Sequence, residues 1–163
     1  ASICREAEAY VDDVASYFQV LEQQSIPLGV TEALASSAVR TAQKVSATLI
    51  ITLSRTGHTA QMIAKYRPAM RIINVCIDDE AFPGRADKVC RRSLAIRGLV
   101  PLKEDHAWRG ESGHPQEVMR NAIIYARDVL GMVQPGDHIV GVHRIMGEAV
   151  LKVITVPDLF FEE

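Results

Sequence analysis

Two hydrophobic periods alternate along this chain, and the alternation predicts its architecture. Between Ser2 and Gln24, Ile3, Ala7, Tyr10, Val11, Val14, Phe18 and Leu21 recur at three- and four-residue steps, the spacing of one helix face, and the helix stops before Ser25, Ile26 and Pro27. A second helix starts near Thr31, an N-cap with Glu32 in the first turn, and carries Leu34, Ala38, Ala42 and Val45 inward. The uncharged run Thr48 to Leu53 suits a strand buried on both faces of a parallel sheet. A helix over about Thr56 to Tyr66, a strand over Arg71 to Cys76, a helix over Ala86 to Ile96 and a short strand near Leu99 follow in regular βα order. His114 to Gly131 reads as another helix, with Val118, Ala122, Tyr125, Ala126 and Val129 on one face and Gly131 ending it. His138 to Ile145 and Ala149 to Val156, separated by the tight Met146-Gly147-Glu148 connection, make an antiparallel hairpin. The expected fold is therefore α/β, a three-layer sandwich whose mostly parallel, doubly wound sheet ends in an antiparallel hairpin. Asp78 to Arg85 is the expected flexible insertion.

The break after the strand at Thr48 to Leu53 holds the most chemistry. Ser54, Arg55, Thr56, Gly57, His58 and Thr59 supply hydroxyls, a guanidinium, an imidazole and a glycine just before a helix whose apolar stripe is Ala60, Ile63 and Ala64. A helix start leaves backbone N–H groups unpaired and carries partial positive charge, so such a loop can enclose a phosphate. The other reading is that Ser54 or Thr56 simply caps the helix. Ligands of an open α/β sheet sit beyond the carboxyl ends of its strands, which is where this loop falls.

The last strand makes a second point. Ala149, Leu151, Val153 and Thr155 occupy one face and Val150, Lys152, Ile154 and Val156 the other, with a single charge to protect an edge. Such an edge is covered by its own sheet or pairs with a twofold partner.

Composition narrows the function classes. At 163 residues and 48% hydrophobic, the chain can bury one sizeable core. A formal charge of −2 gives no footprint for nucleic acid or an acidic membrane. No apolar segment is long enough to span a bilayer and the N-terminus lacks a signal-peptide pattern, so a cytoplasmic location is expected. Cys4, Cys76 and Cys90 form an odd set without metal spacing, which implies reduced thiols, with Cys76 packed in the core at a strand end. His106 and His114, eight apart across a Gly-rich loop, have poor metal-ligand spacing. There is no P-loop, no GxSxG elbow and no pair of carboxylates placed for acid/base work, so no catalytic residue and no metal ligand is assigned.

The loop Ser54 to Thr59, the following Ala64 to Pro68 and the preceding Thr31 to Gln43 resemble the C-terminal domain of pyruvate kinase. Ile3 to Ala9 resembles the helix leading out of that enzyme's catalytic barrel, Arg97 to Pro101 its fourth-strand region, and Pro135 to Val142 with His143 and Arg144 its closing hairpin. The similarity spans nearly the whole chain, and the hairpin and Arg91 to Pro101 look closer to plant cytosolic and apicomplexan members than to animal ones. It implies an exit helix at 1–24 and a regulatory domain at 25–163, with the barrel absent from this chain. It also implies that Ser54, Arg55, Thr56, Gly57, His58 and Thr59 cradle a phosphate of a phosphorylated small-molecule effector. Arg55 stands where a lysine is common and His58 where animal forms often have arginine, a substitution that supplies less charge. Trp108, which on its own reads as either a packing anchor or a ligand platform, and the neighbouring Arg109 fall where the family contacts the effector's second phosphate. His143 and Arg144 fall where its effector lid belongs, in a hairpin without the longer glycine-rich lid of animal forms. Arg91, Arg92 and Arg97 read most simply as a solvated helix face and its end.

The resemblance further implies a homotetramer, with self-association through Ala149 to Val156. Magnesium and potassium are expected in the parent enzyme and no cofactor in this region, because the family's catalytic lysine, its magnesium-binding carboxylates and its potassium site belong to the barrel. The chain by itself is then a non-catalytic part of a phosphotransferase that moves a phosphoryl group from phosphoenolpyruvate to ADP. Two other readings stay open on the sequence: a stand-alone α/β module for phosphorylated ligands, and a structural dimerisation domain with a vacant loop.

Overall fold

A computed structural model describes residues 12–78, 82–104, 115–145 and 148–158. Among the described residues the order is α1 (Asp13–Glu22), α2 (Val30–Lys44), β1 (Leu49–Ser54), α3 (His58–Lys65), β2 (Arg71–Cys76), α4 (Arg85–Ser93), β3 (Leu99–Lys103), α5 (Pro115–Asp128), β4 (His138–Ile145) and β5 (Glu148–Thr155). The sheet runs β3-β2-β1-β4-β5, parallel throughout except for the antiparallel β4–β5 hairpin.

All six residues of β1 are buried, because helices cover both faces of the strand at the centre of the sheet. On one face Ile50, Ile72, Val140 and Val142 pack with Ala35, Ala38, Val39 and Ala42 of α2, Ala60 and Ile63 of α3, and Tyr17 of α1. On the other, Leu49, Ile51, Leu53, Ile73, Val75 and Ile139 pack with Val118, Met119, Ala122, Ile123 and Ala126 of α5. These are the three layers of the predicted sandwich. Small residues on α2 let it approach closely, and Lys65 of α3 donates to Glu32 of α2 across the seam. A left-handed Gly131 (φ 59°) follows α5, and Met132 N–H closes onto the Ala126 carbonyl at 2.9 Å, the C-terminal closure expected of that glycine.

Two expectations are corrected. In α1 the buried aromatic is Tyr17, whose hydroxyl meets Ser36 Oγ at 3.1 Å, whereas the predicted inward residues Val14 and Phe18 are exposed. The helix carries two apolar stripes, and periodicity cannot say which one meets the sheet. Thr31 is not the N-cap of α2: that position is Gly29, with no side-chain cap, and Thr31 sits inside the first turn. Ile154 is partly buried against the α5-side core, while Val153 on the other face of β5 is 46% exposed.

Candidate functional site

The direction of chain progression across the sheet reverses at β1. From β1 the chain proceeds through α3 to β2 and through α4 to β3, while β4 lies on the opposite flank of β1 and continues to β5. A crevice forms at such a switch point, between the carboxyl ends of two parallel neighbours whose onward connections diverge. Here it is a cavity of about 540 Å³ lined by Leu53, Ser54, Arg55, Thr56, His58 and Thr59, by Val142 and His143 of β4, by Thr31 and Leu34 of α2, and by Ile77 and Pro115.

The loop is built around Gly57. Its φ of 77° is left-handed, and a Cβ there would lie 2.9 Å from Val89 Cγ1 of α4, so glycine is required by both backbone and space. The Ser54 hydroxyl accepts from Gly57 N–H at 2.8 Å and closes the turn, and Ile77 N–H donates to the Ser54 carbonyl at 3.2 Å, tying the loop to the end of β2. The capping alternative takes a different form from either one proposed. The N-cap of α3 is Gly57 and no side chain caps the helix, although His58 N–H does approach Thr56 Oγ1 at 3.4 Å. Beneath the loop, Asn74 Nδ2 donates to Ser93 Oγ at 3.1 Å and Ser93 Oγ to the Val89 carbonyl at 2.9 Å, a buried polar brace that sets α4 against β2.

Arg55, Thr56 and His58 are exposed at the cavity wall, Thr59 is half-buried, and Ser54 is buried. His143 is only 3% exposed yet still reaches the lining. No carboxylate lines the cavity among the described residues, so the Arg55 guanidinium shares the wall with hydroxyls and imidazoles and no anion. No cluster that could hold a metal ion occurs among the described residues.

Residues 32–154 match the family described as pyruvate kinase, alpha/beta domain. The chain belongs to that family. It is 36% identical over 159 residues to the cytosolic pyruvate kinase isozyme of Solanum tuberosum, covering 94% of this chain and 31% of that protein. To the pyruvate kinase of Eimeria tenella it is 34% identical over 163 residues, covering 94% of this chain and 27% of that protein. A crystal structure of a pyruvate kinase from Cryptosporidium parvum superposes with a TM-score of 0.81 at 30% identity, over 95% of this chain and 28% of that one. The chain thus spans about a third of the length of the plant pyruvate kinases it matches, and its fold is that of the pyruvate kinase C-terminal domain.

Within this pyruvate kinase domain, the tertiary structure brings Ser54, Arg55, Thr56, His58, Thr59 and His143 to one cavity, with Gly57 buried behind them. Trp108 and Arg109 lie outside the described residues, as does the side chain of Arg144. Sequence reasoning missed the cavity roles of Thr31, Leu34, Ile77, Pro115 and Val142. Thr31 had a visible signal, a hydroxyl at the start of a helix, but capping explained it equally well; the others carried no polar signal.

Proposed function

We propose that the chain is the effector-binding and subunit-interface domain of a pyruvate kinase, the phosphotransferase that moves a phosphoryl group from phosphoenolpyruvate to ADP. In this reading residues 1–24 lead out of the catalytic barrel and residues 25–163 form the regulatory domain. The observation that carries it is the cavity at the β1–β4 switch point, whose walls hold Arg55, the Thr56 and Thr59 hydroxyls, His58 and the first turn of α3 without a facing carboxylate among the described residues. A phosphate there is bound by the Arg55 guanidinium fork, by the Thr56 and Thr59 hydroxyls and by helix N–H groups, while His143 closes the far wall.

Two further features support the reading. Ile26 is 90% exposed and Val30 73%, and with Val14 and Phe18 they leave apolar surface beside α1 suited to packing on another domain. β5 ends the sheet, so its outer edge is available to a twofold-related copy in a tetramer. In this reading the magnesium and potassium of the parent enzyme are held by its barrel, and the cytosolic names of the plant relatives support a cytoplasmic location.

Thermal unfolding with inorganic phosphate and with a hexose bisphosphate tests the site. Ligand should raise the midpoint of the wild-type chain by mass action. Arg55→Ala and Thr59→Ala should each weaken binding about ten- to a hundredfold, since a charge-assisted contact contributes about 1.5–3 kcal/mol. An unresponsive wild type, or variants that respond as it does, would overturn the assignment.

A further inference from the structure

We infer that Cys76 and Cys90 are a redox-active dithiol pair, in which hydrogen peroxide oxidises Cys90 and Cys76 then closes a disulfide between β2 and α4. Cys76 ends β2 and is wholly buried, with Asn74 Nδ2 3.5 Å from its sulfur and its own thiol 3.5 Å from the Asn74 carbonyl. Cys90, on α4, packs against the small cluster of Cys76, Ala86 and Val89, and its thiol is the neighbouring group that acts on Cys76. Both are reduced. They are not equivalent, because Cys90 is partly exposed while Cys76 meets no solvent. Burial, and then the neighbouring Cys90, push the Cys76 thiol far above the usual thiol range, so Cys76 keeps its proton and cannot be the sulfur that reacts first.

The surroundings of Cys90 fit the role of entry point. Asp87, one turn earlier on α4, accepts from Lys103 Nζ at 2.9 Å, and Lys103 pairs with Cys76 in the β2–β3 register. That ion pair keeps a charged, half-exposed surface one turn from the partly exposed Cys90. The Cys90 sulfur attacks one peroxide oxygen, the O–O bond breaks and water leaves, giving a sulfenic acid. The Cys76 sulfur then attacks the Cys90 sulfur, the S–O bond breaks, and the Cys76 proton departs with the hydroxyl as a second water. Two thiols lose two electrons and one peroxide becomes two waters, so the exchange balances. The inference is independent of whether the neighbouring loop binds phosphate.

Trypsin separates the three cysteines cleanly, into Ala1–Arg5, Ile72–Arg85 and Val89–Arg91. The purified, reduced chain would be exposed to hydrogen peroxide, blocked with N-ethylmaleimide, digested without reductant and mapped by mass spectrometry. The expected product is Ile72–Arg85 joined to Val89–Arg91 with the loss of two hydrogen atoms, carrying no maleimide and released by dithiothreitol. In Cys90→Ser, Cys76 should survive peroxide as a thiol and resist maleimide while the chain stays folded. In Cys76→Ser, Cys90 should accumulate as a sulfenic acid captured by dimedone. The wild-type map and Cys90→Ser carry the test even where Cys76→Ser fails to fold. A wild-type Cys90 that stops at sulfenic or sulfinic acid beside a free Cys76, or either residue joined to Cys4 instead, would overturn the inference.

Discussion

Gly57→Ala tests the construction of the loop at its tightest point. Two costs add there. Holding an L-residue at φ 77° costs about 1–2 kcal/mol. The new methyl would also meet Val89 Cγ1 at 2.9 Å, against a side chain fixed among Cys76 and Ala86, and overpacking of that kind costs about 1–3 kcal/mol. Against these, alanine lowers the entropy of the unfolded chain, recovering about 0.4–1 kcal/mol. The net loss is then about 3 kcal/mol, or a fall of about 6–12 °C in Tm for a chain of this size. Urea unfolding of four proteins, wild type, Gly57→Ala, Val89→Ala and the double variant, separates the two terms. With Val89 shortened, only the backbone term should remain, so the pair should show a coupling energy of about 1–3 kcal/mol. A Gly57→Ala cost below about 1 kcal/mol would refute the backbone argument. Equal costs in both backgrounds would refute the steric one.

Two other outcomes follow from the described contacts. Val153→Lys should convert a sedimenting dimer or larger assembly to a folded monomer, since Val153 is exposed on the terminal strand; Ile154→Lys is the poorer probe because Ile154 packs in the core, and a monomeric wild type at high micromolar concentration would count against edge pairing. The hydrogen bond and charge of Lys103 lower the Asp87 pKa, so the pair's contribution is present above the ordinary carboxylate value of about 3.9 and is lost as pH falls through the lowered one. A carbonyl-detected NMR titration should find the Asp87 midpoint below that value and returning to it in Lys103→Met; an unchanged midpoint would mean that the ion pair does not persist in solution.

Much of the fold is legible in local pattern. Arg71–Cys76 and His138–Ile145 have the bounds predicted for them, because a short β-branched run framed by turn residues leaves few alternatives. Gly57 and Gly131 mark the start of α3 and the turn after α5 for the same reason: each stands where the backbone must turn left-handed. The loop Ser54 to Thr59 was visible as candidate chemistry because its residue types are sequence neighbours. Tertiary structure decided what locality cannot encode. Strand order placed β4 beside β1, bringing His143 from across the chain to Ser54, and helix packing added Thr31, Leu34 and Pro115 to the same wall. The choice of Tyr17 over Phe18 as the buried face of α1 came from Ser36 and Tyr66, which offer the Tyr17 hydroxyl a partner and its ring a neighbour 5.6 Å away. The approach of Cys90 to Cys76 arose in the same way. One residue ends a strand and the other rides a helix, and only the packing of α4 on β2 makes their thiols neighbours.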